Sequence, residues 1–329
     1  MQITENYPDL SIIIVNWNSA GFVRKCITSL NAQIISLSVE TIVIDNASYD
    51  GCGEMIAREF PEVRFIQNEK NSGFARANNI AFLHSSGGLV LFLNPDIEVY
   101  EGAIQRMVRI LTTYHDVGIV GGKLLNSDRT IQTSCVQSFP SILGIVLDSD
   151  LLRTLLPRCG LWGMRPLFDN PSEPVEVDVI SGACQMLKRN VFLHVHMYST
   201  EYFMYAEDVD LCLRMNQIGR RNLYVPDAVF VHHGGKSSGA IAESNWSAIV
   251  MRESLKRYFE LNRGRSYGRV FQVAVGMQAA LRVVLISVVA MATRIAGIDN
   301  RLATVKRKWT SILRWALGRE QWVCQLRHD

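Results

Sequence analysis

The chain holds 329 residues, 48% of them hydrophobic and 20% charged, a balance that excludes a disordered chain and admits one large domain with appendages. Its net charge of +3 conceals an acidic body and a basic tail: residues 1–250 carry 19 Lys and Arg against 26 Asp and Glu, whereas residues 251–329 carry 15 against 5. The cysteines, Cys26, Cys52, Cys135, Cys159, Cys184, Cys212 and Cys324, are odd in number and lack C-x-x-C spacing. That pattern argues against a disulfide framework or a cysteine zinc site and points to a reducing compartment. The opening "MQITENYPDL" has neither a basic stretch nor an apolar one, so no secretory signal is expected.

The first half alternates apolar runs with helical patterns. Strands are predicted at 10–17 ("LSIIIVNW"), 41–46 ("TIVIDN"), 63–68 ("VRFIQN") and 88–94 ("GLVLFLN"). Helices are predicted at 19–33 with Ser19 as cap, at 51–59, 74–85 and 101–115. Continuous apolar strands alternating with helices predict an α/β fold, a mostly parallel sheet covered on both faces. The second half is more mixed. Strands are expected at 118–125 and 130–136, an irregular segment over 140–172, and a strand–turn–strand over 175–189. A helix follows at 207–219, then two short strands, "NLYVP" and "AVFVHH", and helix from about 243 onward.

In such sheets ligands collect beyond the C-terminal strand ends. Here those ends read "NWN" (16–18), "DNAS" (45–48), "NEKNSG" (68–73) and "NPD" (94–96). Asp45 suits an Asx-turn, or a carboxylate that accepts the N3–H of uracil or thymine. Asp96 suits a strand exit, or a metal ligand whose direction Pro95 stiffens. Glu207, Asp208 and Asp210 suit the positive end of a helix dipole; beside Tyr202, Phe203 and Tyr205 one of them also suits a general base with a raised pKa. His232 and His233 suit a polar surface or a metal site, and the following glycines allow close approach to phosphate.

Singly these signals are weak; their order is specific. The run "SIIIVNWNSAGFVRKCITSL", "IVIDNASYDG", "NEKNSGFARANNIAF", "LFLNPDIEV", "VISGACQMLKRNVF", "EYFMYAEDVDLCLR" and "VHHGGKSSG" resembles the inverting family 2 glycosyltransferases of the GT-A fold, in their rhamnosyltransferase-like branch, over roughly residues 8–262. The resemblance implies that Asp45 reads the base, with Val15 and Asn16 lining its pocket, and that Gly73, Arg76 and Asn79 face the nucleotide. Asn94-Pro95-Asp96 stands where the family has D-x-D, which implies Asp96 as a metal ligand and leaves Asn94 beside the donor. The same resemblance implies that His232 completes the site for Mg²⁺ or Mn²⁺, with His233 as fallback. Asp208 is implied as catalytic base, and Ser181, Gly182, Ala183 and Glu207 line the acceptor cleft.

The same resemblance divides the chain into a transferase domain, 1–262, with a nucleotide-sugar half (about 1–125) and an acceptor half (126–262), and a basic, apolar helical region, 263–329. It implies transfer of L-rhamnose from dTDP-L-rhamnose to a saccharide or lipid-linked saccharide, with UDP-galactofuranose or UDP-hexoses as alternative donors. A nucleotidyltransferase would need a Gly-rich phosphate loop after the first strand, and "VNWNSAGF" has none. A catalytically inactive sugar-binding scaffold is disfavoured by Asp96, Asp208 and His232. No nucleic-acid partner is expected.

Residues 270–293 are apolar apart from Gln272, Gln278, Arg282, Ser287 and the final Thr293. Arg282 would cost about 2.5–3.5 kcal/mol at the centre of a membrane span. We therefore expect a helix lying on a cytoplasmic membrane surface, or packed on a partner, flanked by Arg263, Arg265, Arg269, Lys306, Arg307 and Lys308, with Trp309, Trp315 and Trp322 at the interface. A buried helical hairpin or a homo-oligomer core is the alternative. The expected location is cytoplasmic, peripheral to the membrane.

Overall fold

The computed structural model describes residues 8–33, 36–234, 245–295 and 302–326. In the "VHHGGKSSG" run, residues 235–239 lie outside these, as do residues 1–7 of the opening. In chain order the strands and helices are β1 Leu10–Asn16, α1 Ala20–Asn31, β2 Val39–Asp45, α2 Cys52–Glu59, β3 Arg64–Gln67, α3 Gly73–Leu83, β4 Leu89–Leu93, β5 Ile97–Val99, α4 Ala103–Thr113, β6 Val117–Leu125, β7 Val136–Gln137 and α5 Ile142–Leu147. There follow α6 Asp150–Leu155, α7 Arg165–Asp169, β8 Val175–Glu176, β9 Val179–Ile180, β10 Cys184–Lys188, α8 Arg189–His194, α9 Glu207–Gln217, β11 Arg221–His232, α10 Trp246–Arg263, α11 Arg265–Ile295, α12 Leu302–Ala316 and α13 Trp322–Gln325.

The chain forms two compact units: residues 1–139, 150–200 and 207–238 make the first, and residues 140–149, 201–206 and 239–329 the second. The second thus takes in α10, which the expected boundary at residue 262 assigns to the transferase domain.

The first unit is built on a sheet with the order β3-β2-β1-β4-β10-β6-β11-β5, and β8 pairs with β11. β1 runs parallel to β2 and to β4, and β2 parallel to β3. The central strand β1 is apolar along most of its length because both faces are covered: it is buried at every residue. β10 enters antiparallel between β4 and β6, and β5 pairs antiparallel with β11. The register decides what meets at the edge. Asn16 pairs with Asp45, Asp45 with Gln67, Cys184 with Leu93, and His232 with Ile97. The polar strand ends therefore form one row.

Some elements differ from expectation. The strand predicted at 130–136 is an isolated bridge between Leu125 and Ile131 followed by the short β7. The irregular segment 140–172 contains three short helices, α5, α6 and α7. "NLYVP" and "AVFVHH" form one strand, β11, because the Pro226 region is absorbed as an irregularity between Val225 and Val229. Ser19 precedes α1, but its hydroxyl donates to Asn16 Oδ1 at 2.8 Å instead of capping the helix.

In the second unit α10, α11 and α12 pack together around Phe259, Phe271 and Trp315. Trp309 and Trp315 are 7% and 3% exposed, so they are core residues and not the interfacial aromatics that their spacing among basic residues suggests. Arg282 stacks on the Trp309 ring at 4.2 Å and donates to the Asp148 carbonyl, a packed setting that α11 alone could not provide. α11 buries Phe271, Val275 and Ala279 on one seam, and beyond Ala279 none of residues 280–291 is buried. By length and composition alone, Arg265–Met291 is apolar enough to cross a membrane.

Candidate active site

The row of strand ends is held by a dense set of hydrogen bonds. Asp45 is 1% exposed. Its Oδ1 accepts from Asn16 Nδ2 at 2.7 Å and from the Ser48 hydroxyl; its Oδ2 accepts from Gln67 Nε2 at 2.7 Å and from the Ser48 and Tyr49 amides. Five donors fill the roughly four lone-pair directions of a carboxylate. Burial pushes its pKa up, yet Ser48, Gln67, Tyr49 and Asn16 outweigh it and hold the carboxyl below the usual range. Asp45 thus makes the bonds of an Asx-turn, to the Ser48 and Tyr49 amides, along with those to Asn16 and Gln67. Asn16, fully buried, also donates to Ser48 and Asp50 and accepts from Ser19. Val15, beside it, is 8% exposed.

Asn46 organises the next loop and is a residue that the reading of strand ends passes over, although it stands in "DNAS". Its Nδ2 donates to Asn71 Oδ1 and to the Gly73 carbonyl, and its Oδ1 accepts from Asn68 and from the Ser72 amide. This fixes the start of α3, where Gly73 takes φ +79. Arg76 is half-buried one turn on. Asn79 turns away from the nucleotide role: its Nδ2 donates to the Tyr198 carbonyl at 2.8 Å and its Oδ1 accepts the Tyr198 amide at 3.1 Å. A cavity of about 590 Å³ lies next to this row, lined by Asp45, Tyr49, Cys52, Phe65 and Gln67 among others.

Asp96 is 2% exposed, and neither carboxylate oxygen accepts a hydrogen bond. Its Oδ1 lies 3.2 Å from His232 Nε2, close but not aligned as a hydrogen bond. Asn94 Nδ2 lies 3.4 Å from the same nitrogen, and His232 Nδ1 lies 2.7 Å from Gln132 Oε1. His233 points elsewhere: it reaches Glu98 Oε1 and Ser127 Oγ, each at 2.8 Å, and packs on Phe22. A buried carboxylate without donors is costly unless a cation completes it. One carboxylate and one imidazole nitrogen suit Mg²⁺ or Mn²⁺. Among the described residues no group of three or more His, Cys, Asp or Glu gathers in this way.

Asp208 opens α9 and is part-buried. The Gly182 amide donates to its Oδ2 and the Val209 amide to its Oδ1, each at 2.8 Å. Burial raises its pKa despite these donors. Burial, followed by the charge of Asp208, raises Glu207 well above the usual range; Glu207 is 5% exposed and its Oε2 has no hydrogen-bond partner. Asp210 is tied to Arg214 at 2.7 Å and serves the helix itself. Tyr205 and Ala206, just before α9, both take positive φ, a strained approach of the kind found at functional sites. Of the three aromatics expected beside these acids, Phe203 packs on Trp246 in the second unit.

The turn between β9 and β10 joins the two acidic centres. Gly182 donates to Asp208, while the carbonyl of the next residue, Ala183, accepts the Asn94 amide at 2.9 Å. A Cβ on Gly182 would stand 3.2 Å from Asp208 Cβ, so glycine permits this close approach. The Ser181 hydroxyl accepts from the Ala183 amide and closes the turn.

Comparison with known proteins places the chain in a family. The sequence profile "Glycosyl transferase family 2" matches residues 11–195. The chain is 28% identical over 252 residues to N-acetylglucosaminyl-diphospho-decaprenol L-rhamnosyltransferase of Mycobacterium tuberculosis, covering 73% of this chain and 80% of that one. It is 25% identical over 238 residues to rhamnosyltransferase WbbL of Escherichia coli, covering 69% and 85%. In structure it is similar to the mannosyltransferase PcManGT of Pyrobaculum calidifontis, with a TM-score of 0.58 over 97% of this chain and 88% of that one at 16% identity, a likeness of GT-A fold alone. With the profile spanning more than half its length, the chain belongs to glycosyl transferase family 2.

Proposed function

We propose that this glycosyltransferase moves L-rhamnose from dTDP-L-rhamnose, with inversion, to a hydroxyl of a lipid-linked or polysaccharide acceptor in cell-surface glycan synthesis. The observation that carries the chemistry is the Ser181–Ala183 turn, which ties a carboxylate of raised pKa, Asp208, and the Asn94–Asp96 segment to adjacent backbone groups. The acceptor oxygen bonds to the anomeric carbon as Asp208 takes its proton, and the bond from that carbon to the diphosphate oxygen breaks with its electron pair on the leaving group. With no protein nucleophile in this scheme, one displacement inverts the configuration. Asp96 and His232 would hold Mg²⁺ or Mn²⁺, which when bound would supply positive charge to the diphosphate. Val15, Gly73, Arg76 and Asn94 are assigned to the donor side. Asn16, Asp45 and Asn79, whose polar atoms are engaged within the fold, are assigned to support that side.

The sugar rests on the two rhamnosyltransferase relatives, and the lipid-linked acceptor on the decaprenol diphosphate named in one of them. Incubation of the purified chain with dTDP-L-rhamnose, UDP-galactofuranose and UDP-hexoses tests the donor by release of nucleoside diphosphate. Release from dTDP-L-rhamnose is expected; release from a UDP-sugar alone overturns the rhamnose reading.

We infer further that α11 rests on an anionic cytoplasmic membrane surface. Val270, Val273, Met277, Leu281, Val284 and Val288 are 56–70% exposed along one stripe of the helix, and Leu143 and Leu147 of α5, which packs on α11, are exposed too. Exposed Arg265, Arg269, Lys306 and Arg307 give this unit the charge that anionic lipid attracts. Sedimentation with vesicles of about 30% phosphatidylserine should carry the protein down, and Val273→Glu with Leu281→Glu should leave it in solution. A concentration-dependent dimer with no vesicle binding overturns this reading.

A further inference from the structure

We propose that Gln132, set by Asn126, Thr130 and Asp128, is a positioning residue that fixes the His232 proton on Nδ1, so that the bare Nε2 is presented at Asp96. The proposal rests on the reading of Asp96 and His232 as a metal-holding pair, but concerns a different property, the tautomer of the imidazole.

The order of hydrogen bonds determines every donor in the series. Asp128 Oδ1 accepts the Thr130 hydroxyl at 2.6 Å and the Thr130 amide at 3.0 Å. These donors hold the Asp128 carboxyl below the usual range, so it is ionised at neutral pH and can only accept. The single hydroxyl hydrogen of Thr130 is thereby committed, and its Oγ1 must accept from Asn126, at 2.9 Å. Asn126 therefore turns its Nδ2 toward Thr130, where the Ile131 carbonyl also lies 3.4 Å away. Its Oδ1 faces Gln132 and accepts Nε2–H at 3.2 Å. That leaves Gln132 Oε1 against His232 Nδ1 at 2.7 Å, and a carbonyl oxygen only accepts. Nδ1 must carry hydrogen. At the other edge of the ring stand Asp96 Oδ1 at 3.2 Å and the Asn94 amide at 3.4 Å.

Two further features fit this assignment. The Gln132 amide donates to the Leu124 carbonyl at 2.9 Å, which anchors its backbone to β6. A Cβ at Gly234 would stand 3.1 Å from Gln132 Nε2, so the glycine after the His pair leaves space for the Gln132 side chain. A metal ligand nitrogen must be free of hydrogen, and a partner on the other ring nitrogen that enforces this typically changes metal affinity about 10–100-fold. An imidazole without such a partner favours the opposite tautomer in water.

The test is a two-bond ¹H–¹⁵N correlation of the His232 ring in the metal-free full chain at about pH 8.5, well above the usual imidazole range. The wild type should show hydrogen on Nδ1 alone. Gln132→Glu should keep it there and retain Mn²⁺ affinity, measured by proton relaxation. Gln132→Leu should populate the Nε2–H form and weaken Mn²⁺ binding about 10–100-fold. Asn126→Leu, one step further back, should shift the tautomer in the same direction and serves if Gln132→Leu fails to fold. Hydrogen on Nε2 in the wild type, or an unchanged tautomer in Gln132→Leu or Asn126→Leu, overturns the proposal. If the tautomer behaves as stated but His232→Ala binds Mn²⁺ as well as the wild type, the relay stands and the metal reading fails.

Discussion

The Gly182 amide donates a 2.8 Å hydrogen bond to Asp208 Oδ2, and a methyl group on that glycine would press on Asp208 at 3.2 Å. The bond favours the ionised base while burial opposes it, so the carboxylate is available to take a proton without being inert. Asp208→Asn should lower transfer about 10²–10⁴-fold and leave donor binding, read by calorimetry, unchanged. Gly182→Ala, which displaces the base without removing it, should lower kcat about 10-fold at constant donor affinity. Near-wild-type turnover in Asp208→Asn would remove the base assignment.

The raised pKa of Asp208 sets the direction of the pH dependence. A base works only when deprotonated, so kcat should fall as pH drops through this raised value, at higher pH than an ordinary carboxylate near 3.9 would give. A rate profile flat down to about pH 4 would contradict this.

Glu207 makes a separate prediction on stability. Its folded pKa lies above its unfolded one, so its contribution favours the fold below the unfolded value and is lost as pH rises through the folded value. Glu207→Gln, which removes the buried titratable group beside Asp208, should therefore raise the melting temperature at pH 7–8 by about 2–4 °C for each kcal/mol recovered. The gain should vanish near pH 4.

Asn79 and Asp45 are expected to act through the fold. Asn79→Ala removes both hydrogen bonds to the Tyr198 backbone and should destabilise the chain by about 1–3 kcal/mol in chemical denaturation, with donor affinity changed less than stability. Loss of donor binding at unaltered stability would return Asn79 to the nucleotide.

Much of this site is legible in the strand ends, because parallel pairing aligns them: Asn16, Asp45 and Asn94 close three neighbouring strands, and their polar character after apolar runs marks the edge. The direction in which each side chain turns is less legible. Asp45 and Asn79 carry the residue types of ligands, yet the first is taken up by five donors, two of them from neighbouring strands, and the second by a backbone 119 residues away. Gln132 could not be singled out at all, since its partner His232 lies 100 positions along the chain and the segment 130–136 has the alternation of an ordinary strand. Trp309 and Trp315 mislead for a similar reason: basic flanks resemble an interfacial belt, whereas the partners that bury them, Arg282 and Glu253 among them, come from other helices.

The place of β10 bears on how the chain acquires its shape. The four parallel strands β3, β2, β1 and β4 are all complete by residue 93; β1 pairs with β2 and β2 with β3, neighbours in sequence, and β4 closes on β1. β4 and β6 do not touch as strands; β10, synthesised about 60 residues after β6, is inserted between them. A nascent chain can thus form a stable four-stranded half early, while the strand that unites it with the rest arrives late and must close long loops. The edge of β4 is in that interval an unpaired template, so slow or interrupted synthesis between residues 93 and 184 is expected to favour misassembly through it.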